Sequence, residues 1–129
     1  VFNDMGHPDF HETYLHVINE LARLQLGYVH IMDGLGFGFH GQGEPMTLAE
    51  FRAVYPGTII GNCGYSKEDA ERRLLAGELD LAAFGRPFIT NPDLVTRLRR
   101  NLPLAPWDDM SRWYTPGPQG YTDYPPHGE

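Results

Sequence analysis

The chain has 129 residues, of which 41% are hydrophobic and 21% charged, a composition typical of one globular domain rather than of a disordered chain. Ten basic residues against seventeen acidic ones give a formal charge of −7, which argues against nucleic acid as the main partner. No apolar run approaches the roughly 18 residues of a membrane span, and no leader peptide is visible, so we expect a cytoplasmic protein without a membrane partner. The single cysteine, Cys63, excludes an internal disulfide and a cysteine-based zinc site.

Four helices are predicted from apolar spacing and from capping residues that precede it. The first combines Asp9 with Glu12 in a capping-box pattern and carries one broad apolar face. The predicted helices span about residues 10–26, 47–55, 66–76 and 91–101, and their capping residues are Asp9, Thr47, Ser66 and Asn91.

Three short apolar segments alternate with these helices and are predicted to be buried strands, at about residues 28–32, 58–61 and 79–84. Alternating strands and helices imply parallel strands joined by right-handed crossovers. A three-stranded parallel sheet has two exposed edges, so the chain is expected to be part of a larger α/β architecture. Residues 102–129, rich in proline, glycine and aromatic residues, are predicted to form an irregular tail of the same domain, which covers residues 1–129.

Ligands of parallel α/β folds lie beyond the carboxyl ends of the strands, which here lead into loops 33–45, 62–66 and 85–91. Gly61 and Gly64 around the second loop let backbone N–H groups approach an anion, and Gly85 frees the backbone of the third loop in the same way. Arg86 adds a guanidinium suited to phosphate. Two successive loops of this kind match the phosphate site after strands seven and eight of a TIM barrel. The predicted fold is therefore α/β, the last three βα units of a (β/α)8 barrel.

Structural roles compete with these functional ones. Gly61 and Gly64 are also consistent with a tight turn alone, and Arg86 with a surface ion pair. Cys63 has no base nearby in the sequence pattern, so a packing role is expected rather than a nucleophilic one. His30 lies in an apolar strand and is expected to be a buried core histidine. No metal site is predicted, and the remaining N-terminal histidines are expected to be solvated: His7, His11 and His16.

Three motifs in order resemble the C-terminal portion of the Old Yellow Enzyme family, the FMN-dependent ene-reductases that include 12-oxophytodienoate reductases. They are Ile60–Tyr65, Ala83–Leu94 and Gly120–Pro125, supported by Asn3–Gly6 and Leu26–His30. The similarity spans nearly the whole chain. It implies a TIM barrel that binds FMN at its mouth.

By this resemblance, the flavin phosphate is held by backbone groups around Asn62, Cys63 and Gly64, and by Gly85 and Arg86. Many relatives have glycine at the position of Cys63, so a positive φ there would strain this chain. In the tail, the pair Trp113–Tyr114 falls where relatives often carry Phe-Tyr near the substrate pocket. These two residues are expected to line the pocket, or alternatively to pack the tail onto the barrel.

The family transfers hydride from NADPH to FMN and then to an activated alkene. The resemblance therefore implies a portion of an NAD(P)H-dependent flavin oxidoreductase that reduces α,β-unsaturated carbonyl or nitro compounds. The family's catalytic residues lie upstream of the matching segment, so none is assigned here and the chain is not expected to be active alone. Its expected partner is a missing N-terminal barrel segment or a second chain. The alternative is a non-catalytic flavin- or phosphate-binding module that acts as a half-barrel dimer.

Overall fold

A computed structural model describes residues 7–34, 43–107 and 109–128, in two compact units, Val1–Ala83 and Phe84–Glu129. The Asn3–Gly6 motif and most of the loop after the first strand lie outside the described residues. Within the described parts, no helix combines the length and the apolarity that a membrane crossing needs.

The first unit is a parallel sheet with helices between its strands. Its strands lie in the sheet in the order in which they occur in the chain. This confirms the predicted α/β class. The first and third strands are shorter than expected, and the second has the expected length but begins one residue later. In chain order the elements are α1 (Phe10–Arg23), β1 (Val29–Met32), α2 (Leu48–Val54), β2 (Ile59–Asn62), α3 (Lys67–Leu75) and β3 (Leu81–Ala83).

The strand register gives the sheet two different faces. Residues directly opposite each other in paired strands lie on the same face, so Val29 and Ile59 share one face while His30, Ile60 and Leu81 share the other. The first face is buried under the helices. The core of this unit consists of Ile18, Val29, Leu48, Phe51, Tyr55, Ile59 and Leu79.

The second face of the sheet is largely exposed. Met32 is 45% exposed and Leu81 54%, and His30 is exposed as well. The expectation that His30 is a buried core histidine was therefore wrong, because the alternation along β1 turns it away from the helix-covered face. Large apolar side chains on an uncovered sheet face are unusual for a complete α/β domain.

Two of the predicted helix starts form as expected. The Thr47 hydroxyl accepts the Glu50 N–H and the Glu50 carboxylate accepts the Thr47 N–H, a complete capping box. The Ser66 side chain accepts the Asp69 N–H. Asp9 makes no capping hydrogen bond, because its carboxylate contacts the His7 ring instead.

The second unit contains α4 (Arg86–Thr90) and α5 (Leu94–Arg100), followed by a tail without regular secondary structure. The predicted fourth helix forms as α5 but begins at Leu94, so the prediction that Asn91 caps it was wrong. The fully buried Asn91 amide instead donates to the Pro87 carbonyl at 2.8 Å and accepts the Ala105 N–H at 2.8 Å. Asn91 thus joins the end of the short helix α4 to the start of the tail.

Candidate functional site

The loop after β2 contains two consecutive residues with left-handed backbone. Cys63 has φ +91° and Gly64 has φ +79°. Glycine adopts this conformation easily, whereas cysteine is strained in it. The positive φ that would strain Cys63 is therefore present. Cys63 is 7% exposed, consistent with its predicted packing role. Asn62, just before it, donates from Nδ2 to the Ala83 carbonyl oxygen at 3.1 Å and links β2 to β3.

Gly34 lies against this loop at a distance that only glycine permits. Its N–H donates to the Asn62 carbonyl oxygen at 3.3 Å. A Cβ atom added at Gly34 would lie 1.5 Å from the Cys63 carbonyl oxygen, well inside any real contact distance. The ends of β1 and β2 therefore meet through their backbones.

Asp33, next to Gly34, is the centre of a buried polar cluster. Its side chain is 2% exposed. The Tyr65 hydroxyl donates to one carboxylate oxygen, and Arg73 Nη1 lies 2.9 Å from the other. The Arg73 guanidinium carbon lies 4.9 Å from the Tyr65 ring centre, and Arg73 Nη1 lies 3.5 Å from Glu78 Oε2. These contacts connect β1, the loop after β2 and the helix α3.

Burial dominates the electrostatics of this cluster. It raises the pKa of the Asp33 carboxyl above its ordinary value, and the Tyr65 hydrogen bond and the Arg73 charge offset only part of that increase. Burial also raises the pKa of Tyr65, and the neighbouring Asp33 carboxylate adds to the increase. Tyr65 therefore stays a hydroxyl donor throughout the physiological pH range.

Gly61 has a packing role. A Cβ atom there would lie 2.6 Å from the Tyr65 hydroxyl oxygen and 2.7 Å from a Leu79 methyl carbon. The buried strand β2 needs glycine at this position so that the helix layer and Tyr65 can approach it. Of the two glycines in this region, Gly61 permits close packing in the core, and Gly64 permits the left-handed backbone of the loop.

The predicted residues of the second unit are Gly85 and Arg86, at the start of α4. Gly85 is exposed, its φ is −98°, and a Cβ atom added there would meet nothing within 4 Å. Nothing among the described residues therefore requires glycine at this position. Arg86 is half-buried, with its guanidinium carbon 5.3 Å from the centre of the Trp107 ring.

The two predicted pocket residues of the tail differ sharply in exposure. Trp113 is buried, and its indole Nε1 has no hydrogen-bond partner among the described residues. Tyr114 is 78% exposed, has φ +60°, and its ring centre lies 5.4 Å from that of Tyr121. Of the pair, only Tyr114 presents its ring at the surface of this unit.

An open groove of about 380 Å³ also lies in the second unit, lined mainly by apolar side chains. No group of three metal-ligating side chains occurs in the described parts of the chain. The lining residues of the groove are Phe88, Ile89, Pro92, Tyr121, Thr122 and Tyr124.

The predicted residues carry donor groups that suit a phosphate. Cys63 and Gly64 have left-handed backbone, a Cβ atom at Gly85 would meet nothing within 4 Å, and Arg86 supplies a guanidinium. Each of these features is compatible with the phosphate of FMN.

Sequence reasoning missed the buried contacts of Asp33 with Tyr65 and Arg73. Asp33 and Tyr65 are 32 residues apart, and no local pattern pairs them. The available signal was position, because both residues follow the ends of adjacent parallel strands, where loops converge.

Curated proteins of known sequence match most of this chain. No protein-family model matches the chain. A 12-oxophytodienoate reductase-like protein of Solanum lycopersicum is 38% identical over 114 residues, which cover 88% of this chain and 30% of that protein. A Schizosaccharomyces pombe protein assigned as an NADPH dehydrogenase is 34% identical over 122 residues, 91% of this chain and 31% of its own length. The chain thus spans about 30% of these curated relatives.

Solved structures agree with the sequence matches. A variant of NCR from Zymomonas mobilis superimposes with a TM-score of 0.81 and 34% identity, over 97% of this chain and 39% of that one. The old yellow enzyme from Trypanosoma cruzi gives a TM-score of 0.82 and 32% identity, over 92% of this chain and 30% of that one. Both the sequence and the structure of this chain therefore match only about a third of the length of these proteins.

Proposed function

Because this chain is a partial-length homologue of the Old Yellow Enzymes, we propose that it is the FMN-binding portion of an NAD(P)H-dependent flavin oxidoreductase. The substrates proposed are activated alkenes, namely α,β-unsaturated carbonyl or nitro compounds, and the proposed location is the cytoplasm. The observation that carries the proposal is the left-handed backbone of Cys63 and Gly64 at the end of a parallel strand. The family resemblance and the partial (β/α)8 barrel expected from the sequence are both confirmed.

In this proposal, the chain's own residues bind and orient the cofactor. Backbone N–H groups around Asn62, Cys63 and Gly64 contact the flavin phosphate. The open backbone at Gly85 and the Arg86 guanidinium contribute a second set of phosphate contacts. When bound there, FMN would supply the chemistry of hydride transfer between NADPH and the alkene.

Tyr114 is the proposed wall of the substrate pocket, because its ring is exposed in the second unit. Trp113, its neighbour in the tail, is buried. No residue of this chain is assigned to proton transfer, and we propose that the remaining barrel segment, or a second chain, supplies those groups.

An FMN titration of the purified chain, followed by flavin fluorescence, tests the proposal, with riboflavin as the phosphate-free control. We expect FMN to bind at micromolar strength and riboflavin at least about tenfold more weakly, since charge-assisted hydrogen bonds to phosphate are strong. Equal affinities for the two flavins would contradict a phosphate site.

Two substitutions separate binding from folding. Gly85→Ala meets no steric obstacle among the described residues, so we expect unchanged stability. We expect weaker FMN binding, because the added methyl group would occupy space that the proposal gives to the phosphate. Arg86→Gln is expected to weaken FMN binding, whereas the same substitution at the exposed Arg99 of α5 leaves it unchanged. If both Gly85→Ala and Arg86→Gln bind FMN with wild-type affinity, Gly85 and Arg86 do not contribute to the proposed site.

The second candidate, a non-catalytic module that pairs as a half-barrel dimer, is favoured by one observation. The exposed face of the sheet carries Met32 and Leu81, and β1 and β3 are its edges within the described residues. Sedimentation velocity tests it: a stable dimer that Leu81→Gln dissociates supports the module. A monomer at all concentrations contradicts it.

A further inference from the structure

The dipeptide Asp33–Gly34, at the carboxyl end of β1, contacts both flanks of the loop after β2. On one flank, the Gly34 N–H donates to the Asn62 carbonyl oxygen at 3.3 Å. On the other flank, the Tyr65 hydroxyl donates to the Asp33 carboxylate. The two residues with positive φ, Cys63 and Gly64, lie between these attachments.

Asp33 is itself held in place from α3. Arg73 Nη1 lies 2.9 Å from its second carboxylate oxygen, and the same guanidinium stacks on the Tyr65 ring. A carboxylate that is 2% exposed is costly unless it is paired and hydrogen-bonded, so these contacts are mutually dependent. We refer to Asp33, Gly34, Tyr65 and Arg73 together as the Asp33 cluster.

We propose that the Asp33 cluster positions the loop after β2, which contains Cys63 and Gly64, for binding of the cofactor. It holds Cys63 and Gly64 in the left-handed conformation and thereby presents their backbone N–H groups to the phosphate of the flavin. This inference rests on the proposed function. Asp33 does not touch the phosphate in this arrangement; it acts through Tyr65 and the loop.

The strain at Cys63 is the main physical argument for this role. A non-glycine residue at φ +91° persists only where its surroundings over-determine the backbone. The close contact of Gly34 with the Cys63 carbonyl, and the anchoring of Tyr65 by Asp33, supply that constraint. A loop held in its binding conformation before the ligand arrives loses less entropy on binding, which strengthens affinity.

The chain offers a more exposed aspartate of similar connectivity as a control at the opposite end of the same sheet. Asp80, just before β3, accepts the Ile59 N–H at 2.8 Å and pairs with Arg52 at 2.5 Å. It is therefore also an aspartate that links an arginine to the sheet, but it lies at the amino ends of the strands. Asp33→Asn and Asp80→Asn are the same chemical change at the two ends.

The first test uses no ligand. Backbone order parameters of Cys63 and Gly64 are measured by NMR in the full chain and in Asp33→Asn, Tyr65→Phe and Asp80→Asn. We expect values near 0.85 in the wild type and Asp80→Asn, and values below about 0.6 in the other two variants. Unchanged order at Cys63 and Gly64 in Asp33→Asn and Tyr65→Phe would overturn the proposal. So would loss of the folded state in both variants while Asp80→Asn stays folded, since the cluster would then serve global stability.

The second test compares FMN with riboflavin. Asp33→Asn and Tyr65→Phe should each raise the dissociation constant of FMN about tenfold or more while changing that of riboflavin less than about twofold. Asp80→Asn should change neither. Equal weakening of both flavins would indicate a general structural effect and contradict the positioning role. If the wild-type chain binds neither flavin, the proposed function fails for this chain, and the order parameters alone decide on the Asp33 cluster.

Discussion

At the scale of single residues, Cys63 shows a side chain in conflict with its backbone. Its φ of +91° is the conformation that glycine adopts readily, yet its side chain is buried. Two effects of opposite sign therefore act at this position. Backbone strain of about 1–3 kcal/mol disfavours the folded state, and burial of the thiol favours it by about 1 kcal/mol.

We predict that Cys63→Gly is more stable than Cys63→Ala by about 1 kcal/mol. Both variants lose the thiol, but only glycine relieves the strain, and its extra unfolded-state entropy of about 0.5–1 kcal/mol offsets part of that gain. Denaturant unfolding midpoints measure the difference. At Glu71, in the helix α3, the order should reverse, with alanine more stable than glycine. If alanine were more stable than glycine at both positions, Cys63 would not be strained.

At the scale of elements, His11 joins α1 to the start of α2. Its Nδ1 lies 2.9 Å from a Glu50 carboxylate oxygen and its Nε2 lies 2.7 Å from the Glu44 carbonyl oxygen. Both partners are acceptors, so the ring satisfies both only when it carries two N–H groups. The Glu44 carbonyl, followed by the Glu50 carboxylate, raises the pKa of His11 above its ordinary 6.5.

The pH dependence of this link follows from the direction of the shift. A raised pKa in the folded state stabilises the protein fully below pH 6.5 and loses that effect as pH rises through the folded-state pKa. We predict that His11→Asn lowers the unfolding midpoint at pH 5.5 by more than at pH 8.5. His16→Asn, on the exposed part of the same helix, serves as control and should show no such difference. An equal effect of His11→Asn at both pH values would contradict the ionic link.

Local patterns predicted the elements well where the partner residues lie within one turn. Thr47 with Glu50 and Ser66 with Asp69 form the caps that their spacing indicates. Asp9 has the same spacing to Glu12 and forms no cap, because the neighbouring His7 takes its carboxylate. Capping patterns therefore predict a helix start without predicting which hydrogen bond forms there.

The candidate site was predictable only in part, because most of its contacts join residues that are far apart in the sequence. The glycine at position 64 is visible as a local signal, and its positive φ agrees with it. Asp33, Tyr65 and Arg73 come together through the β1–β2 pairing, which brings distant residues to one edge of the sheet. Periodicity likewise placed His30 in a strand without revealing that its face of the sheet is uncovered.

At the scale of the whole molecule, the exposed face of the sheet agrees with the finding that this chain superimposes on only part of each related structure. The chain superimposes on 39% of the Zymomonas mobilis structure and 30% of the Trypanosoma cruzi structure. In a parallel barrel, the inward face of each strand is covered by the strands opposite. The exposed side chains of Met32 and Leu81 are the surface that further strands would bury.

A chimaera tests this reading of the sheet. We predict that this chain, grafted in place of the matching segment of the Zymomonas mobilis protein, gives a folded protein that retains FMN through purification. Its unfolding midpoint should exceed that of the isolated chain, because the face around Leu81 becomes buried. Leu81→Gln should lower the midpoint of the chimaera more than that of the isolated chain. An equal effect in both would show that the second face of the sheet remains uncovered in the barrel.

The separation of Asp33 from Tyr65 has a kinetic consequence. The two residues are 32 positions apart, and the segment between them includes α2 and β2, so the hydrogen bond closes a long segment of chain. Contacts between distant residues form after the local ones, because the entropy of loop closure must first be offset. The helices α2 and α3 can form early from their own caps, whereas the loop after β2 acquires its conformation only when β1 and β2 have paired. The loop for which we propose phosphate binding is thus expected to be among the last parts of this unit to fold.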